Sequence, residues 1–527
     1  MNRTTIGSVM RGMCYGFAVL LFAASCANDN VVQDEKQNKD NIPAGATLFT
    51  GTSQPDSTTT RTAILNHTKG AGASVNWSST DKIWVKDDGG NWQQSTTTII
   101  PSAANPSFAK FALSGSYTGA SHDILYTNMA VTGTQPQVEI KKYQTQSAPN
   151  NFDHAGESGD CGIATGSKDG NVYNFTLNHK ASYLCFIPRT NNEYVKRSQL
   201  TRIDIISDDD IAGTYDIAAN GALTLASGGS KKITVFTGSG FDIDNSADDM
   251  SKNATYAVVA PGTRKFRIRY WLRNRKDNPT GPIEGTVSKI VTLNCTAGSI
   301  HDITANLDIH DYDGDHYYMW DAQEQYWKGY EWTKHLPGNT GQPTVKYGSS
   351  PNWPQNNSDN RYYHEGGGSG RFDATHSCAS LPNANELSWY VMYGDPHYDY
   401  ELWTTMGHLY SDGMWFKKKS VLQAEHHYDT EKSADGSTDL RTTYKYYGKR
   451  PSTDPLSAAD AGNYFFLPQL GYCHSSWLDE VRDYGYYWSS SADPNNSNYA
   501  YRLQFFISAV QLYSNPREYG YRVGGFE

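Results

Sequence analysis

Val172-Tyr173-Asn174-Phe175-Thr176-Leu177 sets large apolar side chains (Tyr173, Phe175, Leu177) against smaller or polar ones at every second position. Successive side chains on a strand point to opposite faces, so this stretch reads as a strand with one face in a core. The same period recurs in Lys82-Ile83-Trp84-Val85 and in Lys265-Phe266-Arg267-Ile268-Arg269-Tyr270, with Gly, Asn, Asp and Ser clusters between such runs. Short alternating strands punctuated in this way predict β-sandwiches rather than alternating β/α units. No helical period is sustained before residue 309. Within Lys265–Tyr270, Phe266 and Ile268 are expected to face the core while the arginines line a solvated face.

The chain has 527 residues, room for about three or four domains. Asp and Glu number 55 against 45 Lys and Arg, a net charge of −10, which offers no general attraction to nucleic acid or an anionic membrane face. Aromatic usage divides the chain: of 37 Tyr and 13 Trp, 27 and 9 respectively lie beyond residue 309. A domain boundary is placed there.

Arg3 and Arg11 precede the apolar stretch Met13–Ala24, which at 12 residues is too short to span a bilayer and fits the apolar core of a signal peptide. It ends in Ala23-Ala24-Ser25-Cys26, which resembles a bacterial lipobox with Ala23 in place of the usual Leu. The resemblance implies acylation of Cys26 and anchoring to the outer membrane; the alternative is an ordinary signal peptide with a chance cysteine. Residues 27–43 are polar and read as a tether. With Cys14 and Cys26 set aside, five cysteines remain, Cys161, Cys185, Cys295, Cys378 and Cys473, scattered without metal-ligand spacing. In an exported protein, Cys378–Cys473 is the first candidate for a disulfide.

Thr60-Arg61-Thr62, Val75-Asn76-Trp77 and Asp81-Lys82-Ile83-Trp84-Val85 together resemble the opening of fimbrillin-type pilus subunits of Gram-negative anaerobes, with Thr80 where that pattern has Gly. Phe175–Ala181 with Leu184–Ile187, then Tyr256–Pro261, Thr296–Ser299 and Ile303–Ile309, follow the family's order across residues 44–309. The resemblance implies two transthyretin-like β-sandwiches, at 44–175 and 176–309, behind a signal peptide (1–25) and lipidated tether (26–43). It also implies that an Arg-specific protease removes the first strand, leaving a groove that a strand from a neighbouring subunit fills. Ala46-Thr47-Leu48-Phe49-Thr50 is the candidate removable strand. Arg61 is the only Arg or Lys between Asp40 and Lys69, so cleavage is expected between Arg61 and Thr62. The alternative is that Arg61 is a surface charge and the anchor stays.

Cys378–Trp389 (CASLPNANELSW) reads as a helix start, with Pro382 in the first turn and Asn383 or Ser380 at the cap. With Phe466-Leu467-Pro468, Gly485–Ser491 (GYYWSSS), Ala500–Phe505 and Gly520–Val523 it resembles the C-type-lectin-like modules of the major-paralogous-domain group. The implied fold for 310–527 is α+β with long loops around an aromatic core. Trp488, Tyr487 and Trp415 are candidate ligand contacts, with core packing as the alternative, and calcium-dependent sugar binding is not expected because EPN- or WND-type motifs are absent.

Other constellations carry less. His310–His316 has a D-x-D-G-D core, but the twelfth position counted from Asp311 is Ala322 rather than the Glu of a calcium loop. Glu425–Asp429 lacks a spaced third ligand, and Gly366–Gly370 lacks the Lys of a phosphate loop. No nucleophile–base signature emerges. The expectation is a mainly β surface lipoprotein without cofactor, metal or enzyme activity. It would act as a fimbrial subunit, at the tip of the fimbrium, that adheres through its C-terminal module. Its expected partners are other fimbrial subunits and a surface glycan or protein, and not nucleic acid. The competing expectation is a glycan-binding outer-membrane lipoprotein that never polymerises.

Overall fold

The computed structural model describes residues 42–52, 63–65, 67–71, 73–277, 281–331, 352–364 and 368–527. The chain is mainly β. Its first sheet has nine strands, running Trp92–Gln94, Trp84–Lys86, Ser121–Tyr126, Gly162–Asp169, Val172–Thr176, Thr47–Thr52, Ala109–Leu113 and Thr97–Ile99, with Asn178–His179 added beside Gly162–Ile163. Alternation sorts its side chains: Ile124 and Tyr126 enter a core with Phe49, Trp77, Phe111, Tyr173 and Phe175, whereas Leu125 between them enters a second core. One sheet therefore serves as a wall between two apolar layers.

The second core lies between a five-stranded sheet (Tyr143–Thr145, Lys232–Asp242, Ser198–Ser207, Gly262–Asn274, Ile283–Cys295) and a three-stranded one (Thr255–Val259, Ser182–Arg189, Ile300–Asn306). Phe186 of one meets Tyr270 of the other edge-to-face at 6.2 Å, the contact expected when two sheets pack face to face. The break drawn at 175/176 does not coincide with the division of the cores. Val138, Ile140, Phe152 and Cys161 pack in the second core, and Gln137–Ile140 and Tyr143–Thr145 pair with strands beyond residue 212. The chain crosses into the second layer, returns for Gly162–His179, and then leaves the first sheet.

His154 is buried in that crossing segment. Its Nδ1 lies 2.8 Å from the Ser158 hydroxyl, its Nε2 has no partner among the described residues, and the ring abuts Phe152. Burial lowers its pKa from 6.5 to about 4. Between those values an unfolded chain takes up a proton that the folded chain refuses, so stability falls as pH drops through this window. The full displacement corresponds to about 3 kcal/mol. Chemical denaturation at pH 7 and pH 4.5 should show His154→Gln losing about 2 kcal/mol less than the natural chain; equal losses would show that His154 is protonated in the folded state.

Beyond residue 309 two further cores contain most of the aromatic residues. The principal sheet runs Tyr317–Tyr318, Tyr521–Arg522, Gly485–Asp493, Asn496–Phe506, Ala509–Pro516 and Tyr447–Lys449. Against it packs the helix Ala384–Tyr393. Asn383 caps it by accepting from the Glu386 backbone N–H, while the Glu386 carboxylate accepts from the Asn383 N–H at 2.7 Å, a reciprocal capping box. Pro382 thus precedes the cap instead of occupying the first turn.

Candidate assembly site

The strand Thr47–Thr52 lies inside its sheet, not at an edge. It pairs antiparallel with Ala109–Leu113 and parallel with Val172–Thr176, in registers Phe49↔Phe111 and Phe49↔Tyr173. Both neighbours are distant in sequence, so no hairpin turn ties the strand to either. Phe49 is fully buried, stacked on Tyr173 at 4.7 Å and edge-on to Tyr117 at 5.1 Å. On the opposite face the Thr50 hydroxyl donates to the Tyr173 carbonyl at 3.3 Å and meets the Asn174 side chain. Gly51 is required by its neighbour, since a Cβ there would lie 2.7 Å from the Phe175 ring.

A six-residue segment thus fills one slot between two strands, satisfying backbone groups on both sides. Its departure would expose the facing edges of Ala109–Leu113 and Val172–Thr176 and empty the Phe49 position. Compared with the sequence reading, Ala46 lies just before the strand, and pairing continues past Thr50 to Thr52. Arg61, Thr62 and Cys26 lie outside the described residues.

Two of the three candidate ligand contacts in the C-terminal module (the head, residues 310–527) are corrected. Trp488 and Tyr487 are buried. The Trp488 indole donates to the Tyr318 carbonyl at 2.9 Å and the Tyr487 hydroxyl to the Pro468 carbonyl at 2.8 Å, so both are anchored in the core and cannot meet a ligand. Trp415 is half-buried, donates to Asp399 at 3.1 Å, and packs over the Arg267 guanidinium. The Cys378–Cys473 disulfide is also corrected, because both thiols are free and buried. Cys378 packs with Trp320 and Trp488 and accepts from the Asp321 N–H at 3.3 Å, while Cys473 belongs to the main head core. Burial raises the Cys378 thiol to about 12. Asp313 caps the short turn Gly314–His316, accepting from the Asp315 N–H at 2.9 Å.

Arg267 and Arg269 do not face solvent, contrary to the expectation from alternation. Both are buried against the head, where the Asp399 carboxylate accepts from Arg267 at 2.7 Å and also from Arg269. Ser288 donates to Glu401 beside them. Burial pushes the Asp399 carboxyl up, but Arg269 and Arg267 together draw it below its ordinary value. Burial and then the Asp399 charge raise Glu401, so Glu401 is the carboxyl of the two that holds its proton more readily. The backbone joins in: Thr286 N–H donates to the Tyr400 carbonyl at 2.7 Å and Leu402 N–H to the Thr286 carbonyl at 2.8 Å. The head therefore adds a short bridge to the edge strand Ile283–Cys295.

No family model and no curated protein matches the sequence. Among solved structures, a fimbrial protein from Bacteroides ovatus is similar over 89% of this chain and 99% of its own, at 9% identity and a TM-score of 0.24. A candidate cell adhesion protein from Bacteroides uniformis covers 52% of this chain and 94% of its own (18% identity, TM-score 0.28). Another from Bacteroides ovatus covers 50% and 93% (11% identity, TM-score 0.31).

Proposed function

We propose that this chain is an exported, lipid-anchored fimbrial subunit that accepts a strand from a neighbour once its own first strand has been cut away. The observation that carries this reading is the position of Thr47–Thr52, paired on both sides and tied to neither neighbour by a turn. An exposed pair of strand edges flanking an apolar slot is a template for strand addition. In this reading Cys26 carries the lipid, Arg61 is the cleavage point, and the C-type-lectin-like head mediates adhesion to a surface glycan or protein, with no chemistry of its own. The head engages the edge strand Ile283–Cys295 through Thr286. That gives the head a fixed seat on the second sandwich, as a tip subunit that presents a head would need.

Limited digestion with an Arg-specific protease tests the reading. The expected product begins at Thr62, and it alone forms mixed assemblies with a strand-donating subunit, whereas Arg61→Gln remains whole and monomeric. A cut product that keeps residues 47–52 bound and never assembles would overturn the proposal. Resistance of the natural chain at Arg61, combined with tight oligosaccharide binding, would favour the permanently tethered alternative.

A further inference from the structure

Cys185 lies on the central strand Ser182–Arg189, and the parallel pairing with Ile300–Asn306 sets Asp302 directly opposite it. Residues opposite one another on paired strands present their side chains to the same face. A turn at residues 67–71 brings His67 onto that pair. His67 Nε2 lies 2.8 Å from Asp302 Oδ1, and the imidazole nitrogen, thiol sulfur and carboxylate oxygen all lie within 4.8 Å of one another. Cys185 is fully buried, His67 is 4% exposed, and Asp302 retains a 14% exposed side chain. The other Asp302 oxygen accepts from the Gly70 N–H at 2.7 Å, which fixes the carboxylate toward the pair.

We propose that His67, Cys185 and Asp302 form a binding site for a divalent transition-metal ion, with zinc as the best fit to its donors. One nitrogen, one sulfur and one oxygen ligand match the chemistry of zinc, which takes such sets in four-coordinate geometry. A water on the side where Asp302 reaches solvent completes the four. Charge balances as well: thiolate and carboxylate together neutralise the dication, and the imidazole is neutral. The thiol proton leaves to solvent on binding. The imidazole proton moves from Nε2 to Nδ1, which has no partner among the described residues, so no hydrogen bond there is given up. The 2.8 Å separation of His67 and Asp302 must open by about half an ångström or more to seat an ion about 2.0–2.2 Å from each at a tetrahedral angle. His67 is carried by a turn, whereas Cys185 and Asp302 are held in register by paired strands, so His67 makes the adjustment.

An ion there would join the segment that follows Arg61 to the second sandwich. Metal binding there is independent of strand exchange and is read out separately.

The test uses the metal-free full chain, titrated with zinc alone and, in parallel, with cobalt(II) as a spectroscopic probe of thiolate ligation. One zinc per chain is expected, with release of about one proton and a thiolate-to-cobalt charge-transfer band. Cys185→Ser should abolish the band, and His67→Gln should weaken zinc binding by about a hundredfold or more, while Cys295→Ser, at another buried cysteine, leaves both unchanged. Should Cys185→Ser fail to fold, His67→Gln and Asp302→Asn carry the same test. Failure of the natural chain to retain zinc, or retention undiminished in His67→Gln and Asp302→Asn, would overturn the site.

Discussion

Asp399→Ala should cost the folded chain about 3–5 kcal/mol, because it leaves two buried guanidiniums without their shared carboxylate. The geometry supports a value at the upper end. Asp399 accepts from Arg267, from Arg269, from the Trp415 indole at 3.1 Å and from the Tyr400 N–H at 2.8 Å, so every lone pair is committed. Glu401 cannot substitute: its closest oxygen is 3.5 Å from Arg267, and it is already engaged by Ser288. Asp399→Asn keeps the shape and removes the charge, and should fall between the natural chain and alanine. Thermal unfolding would register both losses. Proteolysis adds a positional readout, since the head should separate from the second sandwich and expose Leu402 and Leu409, which pack in that sandwich's core. An unchanged melting temperature in Asp399→Ala would show that the two bodies are held together by apolar packing and the Thr286 bridge alone.

That cluster also shows where reading the sequence stops. Alternation in Lys265–Tyr270 correctly places Phe266 and Ile268 in the core, because a period of two depends only on the strand itself. It cannot say what covers the other face. Arg267 and Arg269 read as solvated since their acceptor lies 132 and 130 residues further on. Trp488 and Tyr487 posed the converse problem: an aromatic in a loop-rich module serves a core or a ligand equally well until burial is known. The helix Ala384–Tyr393 was legible because its cap is local, with Asn383 and Glu386 three residues apart. His67, Cys185 and Asp302 left no local signal at all, since His67 and Asp302 are 235 residues apart. Of the nine strands of the first sheet, those at Thr47–Thr52, Trp84–Lys86 and Val172–Thr176 were legible in outline, but their order was not, because the parallel pair joins residues 124 apart.

The second large effect is expected at Phe49. Truncating a fully buried Phe to Ala costs about 3–5 kcal/mol, and nothing nearby can collapse easily into the space. Tyr173 is held by hydrogen bonds from its hydroxyl to the Tyr117 and Gly119 carbonyls at 2.9 and 2.7 Å, so it cannot tip into the void. Phe49→Ala should therefore lower the melting midpoint by about 10 °C. The strand-exchange reading requires more than this loss. A chain cut after Arg61 and stripped of residues 42–61 should be destabilised by more than the single substitution, because it loses backbone pairing along both neighbours as well as the ring. A synthetic peptide of residues 46–52 (ATLFTGT) added in trans should restore the melting temperature, and the same peptide with Ala at the Phe49 position should not. The neighbouring Gly51 supplies a second discriminator: a Gly51→Ala peptide would drive a methyl against the Phe175 ring and should bind more weakly. If the stripped chain melts at the same temperature as the whole one, the strand contributes nothing that a donor could replace, and assembly by this route is ruled out. If it is destabilised but no peptide rescues it, the slot closes when the strand leaves.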